Sequence, residues 1–247
     1  MAFPKKKKRR RRRGRIYSFF AVLAMTAAVV FGVGFFFKIN EIDVSGSAYY
    51  TAEEIIEASG LHVGEGLFRF SAARAERRIV ETLPYASSAD INRQVPDKLI
   101  ITVVDSEPAA VMQGGGGYWL VDKKLRVLEN MSSSEGYIFI EGIELSEYVT
   151  AREAVVREED RLKLKKLGEI LSEFDDVGLI KRVSLIDVSQ VSDISFRMDG
   201  KYSVHIGDAG DLNYKMRYLQ KVLEELDPDV SGTIDLSGTK IARFIAD

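Results

Sequence analysis

Twenty-two consecutive residues, Ile16 to Phe37, contain no Asp, Glu, Lys or Arg. A helix of 22 residues rises about 33 Å. The hydrocarbon core of a bilayer is about 30 Å thick, so such a run is long enough to cross it. Tyr17 near the start and Phe35 to Phe37 at the end stand where aromatic anchors sit at the two interfaces. A core helix of this length would show a polar face. A single transmembrane helix over residues 16–37 is therefore predicted. Ahead of it lie nine consecutive cations, Lys5 to Arg13, followed by Arg15. Ten of the 35 Lys and Arg residues thus fall in the first 37 positions, with none of the 37 acids. The remainder carries 25 cations against 37 acids, a formal charge of −12. Cations stay on the cytosolic side, so residues 1–15 read as a basic cytosolic tail and everything after Phe37 as extracytoplasmic. The tail then serves as an orientation signal held near anionic membrane lipid. A nucleic-acid arm is the competing reading, and fusion to a membrane span argues against it. Gly32-Val33-Gly34 resembles a signal-peptide cleavage site, but the apolar block is longer than the usual run of about 7–15 residues, so retention is expected.

The chain has no cysteine, which excludes disulfides and thiolate metal sites and leaves the fold to its hydrophobic core. The first outer domain is read over residues 38–112. Ile42 and Val44 alternate with Glu41 and Asp43 as a short half-buried strand that ends at Gly46. Thr51-Ala52-Glu53-Glu54 fits a capping box, and Gly60 closes the short helix that follows. A second helix starts near Ser71, carries Ala72, Ala75, Ile79 and Leu83 on one stripe, and stops before Pro84. Strands over Tyr85 to Arg93 and Lys98 to Asp105 flank the turn sequence Val95-Pro96-Asp97-Lys98. The order strand, helix, helix, strand, strand describes a small sheet with two helices on one face.

Several segments of this stretch resemble the POTRA domain of the FtsQ/DivIB bacterial cell-division proteins. They are Ile42-Asp43-Val44-Ser45-Gly46, the capped helix, Gly64-Glu65-Gly66-Leu67, Leu83-Pro84-Tyr85 and Arg93-Gln94-Val95-Pro96-Asp97-Lys98-Leu99. Their order directly after a membrane span carries the likeness. Glu107-Pro108-Ala109 also resembles the family's exit from that domain, although Ser106-Glu107 stands where an acid and an arginine are often found.

Gly114 to Gly117 reads as part of a glycine-rich linker or turn over residues 113–117. It is not a phosphate loop, because no Lys-Ser/Thr follows. Residues 118–247 then read as a second α+β sheet domain. Strands are expected at Tyr118 to Val121, Leu125 to Leu128, Tyr137 to Ile140, Ile180 to Val188 and Ile194 to Met198. Asp199-Gly200 is a hairpin turn into Tyr202 to Ile206. A charged helix is predicted over Arg152 to Phe174, with Leu164, Leu167, Leu171 and Phe174 as its apolar stripe. Leu212, Met216, Leu219, Leu223 and Leu226 mark a second helix, ended by Pro228. A last strand is predicted over Thr233 to Ile245. This pattern, with Gly232-Thr233-Ile234-Asp235-Leu236, resembles the β domain of FtsQ/DivIB, so the likeness covers nearly the whole chain.

The residues offer little chemistry. His62 and His205 are the only histidines, and no metal-ligand spacing accompanies either. The acids are scattered, as on solvated helix faces. No catalytic residue, metal site or cofactor is expected, and no nucleic-acid or small-molecule partner. A membrane-tethered pair of binding modules is the reading that remains. The resemblance implies a non-enzymatic scaffold concentrated at the division septum, with FtsB/DivIC-like and FtsL-like membrane proteins as partners. A POTRA-bearing polypeptide transport or envelope assembly factor is the alternative, and an enzyme acting on wall polymer is a third. The physical means open to a scaffold is strand addition at an exposed sheet edge. In related proteins the terminal strand receives an FtsB-type partner, which points to Gly238, Lys240, Ile241, Arg243 and Phe244. Their backbone would pair with the partner, Lys240 and Arg243 would meet partner acids, and Ile241 or Phe244 would fill a pocket. An aromatic found early in that strand in some relatives falls near Gly238 here.

Overall fold

A computed structural model describes residues 9–227, 230–238 and 243–246. The first helix, α1 (Arg9–Phe36), is followed at once by a small three-stranded sheet. Of the side chains in α1, those at positions 17–28, 32 and 36 are described. Among the described residues no helix is long and apolar enough to cross a membrane, so the predicted span rests on the sequence alone.

The chain divides into two compact units, residues 1–79 with 88–104, and residues 80–87 with 105–247. In the first unit β1 (Glu41–Ser45), β3 (Lys98–Asp105) and β2 (Ala86–Gln94) form a sheet of order β1-β3-β2, with β1 parallel to β3. Helix α2 (Ala52–Ser59) begins with the complete capping box. The Thr51 side chain accepts from the Glu54 amide, and the Glu54 carboxylate accepts from the Thr51 amide at 2.8 Å. Gly60 closes it with φ of 67°, a left-handed backbone that glycine adopts without strain. Helix α3 (Ala72–Thr82) follows. Ile39, Ile55, Leu67, Ile79, Leu99, Ile101 and Val103 fill this core. On the sheet's outer strand pair, Lys98 is bound by Asp43 and Glu41, and the hydrogen bond its ammonium donates to Asp43 holds it above the ordinary lysine value.

The second unit is built on a sheet of order β13-β12-β11-β10-β9-β7-β4-β5-β6, with β8 paired to β7. The strands are β4 (Pro108–Gly114), β5 (Gly117–Asp122), β6 (Val127–Met131), β7 (Ile138–Glu147), β8 (Val155–Val156), β9 (Val183–Asp187), β10 (Ile194–Met198), β11 (Tyr202–Gly207), β12 (Gly232–Asp235) and β13 (Arg243–Ala246). Helices α4 (Arg161–Asp176) and α5 (Leu212–Glu225) pack against one another and supply one side of the core. Leu167, Ile170, Leu171 and Phe174 of α4 and Met216 and Leu219 of α5 are buried with Ile186, Phe196, Val204 and Ile234 of the sheet. Phe174 meets Phe196 edge-on at 4.9 Å between ring centres, an arrangement that suits the aromatic quadrupoles.

Three expectations are corrected. Residues 113–117 are a hairpin turn rather than a linker. Gly115 and Gly116, with φ of 59° and 78°, join β4 to β5, and Gly114 pairs with Gly117. Strand β4 therefore belongs to the second sheet, and the units part at Val104–Asp105. The helix predicted from Arg152 starts at Arg161 instead. Ala151 sits at φ of 61°, residues 151–156 are drawn into strand pairing, and Glu158–Asp160 makes a 3₁₀ turn. Charged residues of 152–160 suit a helix, but the backbone hydrogen bonds of two neighbouring strands claim that segment first. Finally, the strand predicted over Thr233 to Ile245 is two short antiparallel strands, β12 and β13.

Candidate partner-docking edge

The last strands hang on β11. The Gly232 amide donates to the Lys201 carbonyl at 3.1 Å, β12 runs parallel to β11, and the Leu236 amide closes the pairing on the His205 carbonyl at 2.7 Å. Asp235 then turns the chain. Its Oδ1 accepts from the Ser237 hydroxyl at 2.6 Å and from the Ser237 amide at 2.9 Å. These two donors, the hydroxyl first, hold the Asp235 carboxyl below its usual range, and Arg243 adds to the effect. Arg243 is the residue directly across the ladder from Asp235, so opposite charges face each other over the hairpin.

Beyond the turn, alternation sorts β13 into two faces. Phe244 lies opposite the buried Ile234 and packs half-buried against the core. Ile245 lies opposite Thr233 and is 62% exposed, although it is a large apolar side chain. Among the described residues no strand pairs with the outer edge of β13.

The opposite end of the sheet is finished differently. Residues 151–154 run beside residues 125–127, which lead into β6. The Val127 amide donates to the Arg152 carbonyl at 2.8 Å, the Ala151 amide to the Val127 carbonyl at 2.8 Å, and the Ala154 amide to the Leu125 carbonyl at 2.7 Å. The same segment continues into β8, which pairs with β7. The chain itself thereby pairs with the start of that edge, at Leu125 to Val127.

The proposed docking residues fare unequally. Gly238 is exposed just after the Asp235–Ser237 turn, and Arg243 is exposed on β13. Lys240 and Ile241 lie outside the described residues. Phe244 leans on its own core rather than outward. Ile245, absent from the residues that the resemblance points to, is the exposed apolar side chain of β13. The face of β13 cannot be counted forward from Thr233 because the turn resets the period-two pattern, and Asp235-x-Ser237-Gly238 was the available signal of that turn.

A cleft of about 860 Å³ elsewhere in this unit is lined by Lys123, Asp175, Arg182, Asp199 and Tyr137 among others. Two of its cations, Lys123 and Arg182, are matched by acids. Lys123 meets Asp175 at 2.5 Å, and Arg182 grips Asp199 through two contacts at 3.0 and 2.6 Å. The Asp175 carboxylate raises Lys123, and the Asp199 carboxylate raises Arg182, above their ordinary values. Among the described residues no group of three or more His, Asp or Glu side chains is placed to hold a metal ion.

The geometry defines a tandem α+β protein. A small sheet carrying two helices follows α1, and a large mixed sheet whose β13 edge is unpaired among the described residues succeeds it. Residues 37–105 match the POTRA domain of FtsQ type. Residues 109–237 match the C-terminal region of the cell division proteins FtsQ/DivIB. The gap between the two matches, residues 106–108, begins one residue after Asp105, where the second unit resumes. The chain belongs to the FtsQ/DivIB family of cell division proteins. It is 27% identical over 215 residues to the cell division protein FtsQ of Syntrophotalea carbinolica, covering 85% of this chain and 73% of that protein. Against FtsQ of Corynebacterium glutamicum the identity is 33% over 85 residues, 34% of this chain and 38% of that one. DivIB of Clostridium acetobutylicum is 23% identical over 206 residues, 82% of this chain and 80% of its own length. The second family match ends at Ser237, so β13 lies beyond it.

Proposed function

We propose that this protein is a membrane-anchored, non-enzymatic scaffold of the division machinery that docks an extended segment of an FtsB/DivIC-type partner on the outer edge of β13, with an FtsL-type protein in the same assembly. Residues 16–37 cross the membrane in this reading, with the basic tail on cytosolic lipid and both folded units outside, at the septum. Family membership supports the role in division. The observation that carries the docking site is the contrast of edges, the start of β6 paired with residues 151–154 and β13 bare along its length among the described residues. A bare edge offers unpaired amides and carbonyls to an incoming strand. Ile245 would supply an apolar contact beside that ladder, and Arg243 and Lys240 would draw partner acids.

The test uses the full-length chain and the extracytoplasmic segment of the partner. Ile245→Asp places a charge on an exposed position, so the thermal midpoint should stay near that of the parent. Affinity should fall at least about tenfold, the equivalent of about 1.4 kcal/mol. Unchanged affinity with an intact fold would remove this edge as the docking site.

A further inference from the structure

The segment that leaves α1 is bound to a loop that has two exposed apolar side chains and no role in the docking edge. The Leu67 amide donates to the Phe37 carbonyl at 2.8 Å, the Ile39 amide to the Glu65 carbonyl at 2.8 Å, and the Gly64 amide to the Ile39 carbonyl at 2.7 Å. Lys38 and Gly66 form the bridge between these bonds. Ile39 and Leu67 are fully buried beneath it, so residues 62–68 are fixed beside the first three residues after the helix. Arg93 holds the far end of the loop. Its guanidinium donates to the Leu67 carbonyl at 2.9 Å and the Phe70 carbonyl at 3.0 Å, and it lies 4.5 Å from the centre of the Phe70 ring.

On the outer surface of this loop Val63 is 65% exposed and Phe68 is 54% exposed. Phe36, the last residue of α1, is 76% exposed, and the Phe37 ring meets Phe68 edge-on at 5.6 Å. Lys38, Arg69, Glu65 and His62 are the exposed polar neighbours; Lys38 and Arg69 against Glu65 leave a local excess of positive charge. Apolar side chains clustered at the exit of an uncharged 22-residue run, rimmed by cations, have the composition of a lipid interface rather than of a water-facing turn.

We infer that the loop of residues 62–68 is a second membrane contact, with Val63 and Phe68 seated among the headgroups and upper acyl chains of the outer leaflet next to Phe36 and Phe37. Lys38 and Arg69 meet lipid phosphates, and the backbone lock to residues 37–39, braced by Arg93, sets the depth of the loop. The contact holds the first unit down on the bilayer surface instead of leaving it on a free tether. This inference rests on the proposed span of residues 16–37, and the two fail separately in the experiment below.

The chain has no cysteine, so one introduced thiol gives one label. Full-length protein is reconstituted in vesicles of phosphatidylethanolamine and phosphatidylglycerol, with an environment-sensitive fluorophore at Gly32→Cys, Val63→Cys or Ser45→Cys. Brominated acyl chains serve as the quencher. Ser45 ends β1, six residues past Ile39 and so about 20 Å away along an extended chain. The expected result is strong quenching at Gly32→Cys, clear quenching with a blue-shifted emission at Val63→Cys, and none at Ser45→Cys. Adding Phe68→Asp to the Val63→Cys protein should remove most of the quenching there. Quenching at Gly32→Cys with none at Val63→Cys would overturn the loop contact and leave the span intact. Equal quenching at Ser45→Cys and Val63→Cys would also overturn it, because the contact would not belong to the loop. No quenching at Gly32→Cys would overturn the span and the loop contact together.

Discussion

At one margin of the larger sheet, Leu125 and Val127, just before and at the start of β6, share three backbone hydrogen bonds with residues 151–154; at the other, β13 presents a four-residue strand whose outer side is bare among the described residues. Both margins face the same physical problem, a row of donors and acceptors that will pair with any extended chain. The first is met at its start by a segment that continues into β8 before α4 begins. The second is kept short and carries one cation and one exposed isoleucine. The edge left bare along its length is where recognition is expected, and the other shows that this chain can pair with the start of its own edge.

That contrast depends on both margins sharing one rigid core, and the largest predicted effect tests the sharing. Leu219 is fully buried on α5 among side chains of α4 and the sheet. Leu219→Ala should cost about 2–5 kcal/mol in urea unfolding. A loss under about 0.5 kcal/mol would mean that α5 does not support the sheet as described. Phe244→Ala, at the open margin, should cost less, about 1–3 kcal/mol, because the ring is only half-buried against Ile234. If that substitution leaves stability untouched and removes partner binding, Phe244 is an outward anchor and the face assignment of β13 reverses.

A smaller effect concerns the turn that creates the open strand. The Asp235 carboxyl is held below its usual range, chiefly by the Ser237 hydroxyl and amide. A depressed folded value stabilises the turn above the unfolded aspartate pKa of about 3.9, and that contribution is lost as the pH falls from there through the lower folded value. Thermal midpoints should therefore decline more steeply over that acid window in the parent than in Asp235→Asn. Ser237→Ala, which removes the hydroxyl donor, should cost about 1 kcal/mol at neutral pH. Identical acid profiles for parent and Asp235→Asn would show that the turn is held by other contacts.

Local signals in the sequence were legible where the chain's own chemistry decides the outcome. The Thr51–Glu54 box, the Gly60 stop, the Asp199–Gly200 hairpin and the α5 stripe at Met216 and Leu219 all stand as the residue pattern implies. The docking edge was legible only in part, as a terminal strand following a helix. Gly114 to Gly117 reads as a linker or a turn because glycine suits both, and only the pairing of β4 with β5 decides between them. Residues 152–160 looked helical because propensity is local, whereas the demand of the β6 and β7 edges for partners is not. Arg93 could be seen as part of a family motif, but its grip on the carbonyls of Leu67 and Phe70 joins residues far apart in sequence. Ser106 departs from the usual acid–arginine pair, and its hydroxyl reaches the buried Asp122 at 3.0 Å.

The central claim, that one margin of the sheet docks the partner and the other does not, is tested most directly by amide hydrogen exchange on the full-length chain with and without the partner's extracytoplasmic segment. The account predicts new protection confined to alternate amides of Arg243–Ala246 and the residues beside them, with exchange across Val127–Met131 unchanged. A complex that forms while Arg243–Ala246 exchange as freely as before, or that protects Val127–Met131 instead, would contradict it.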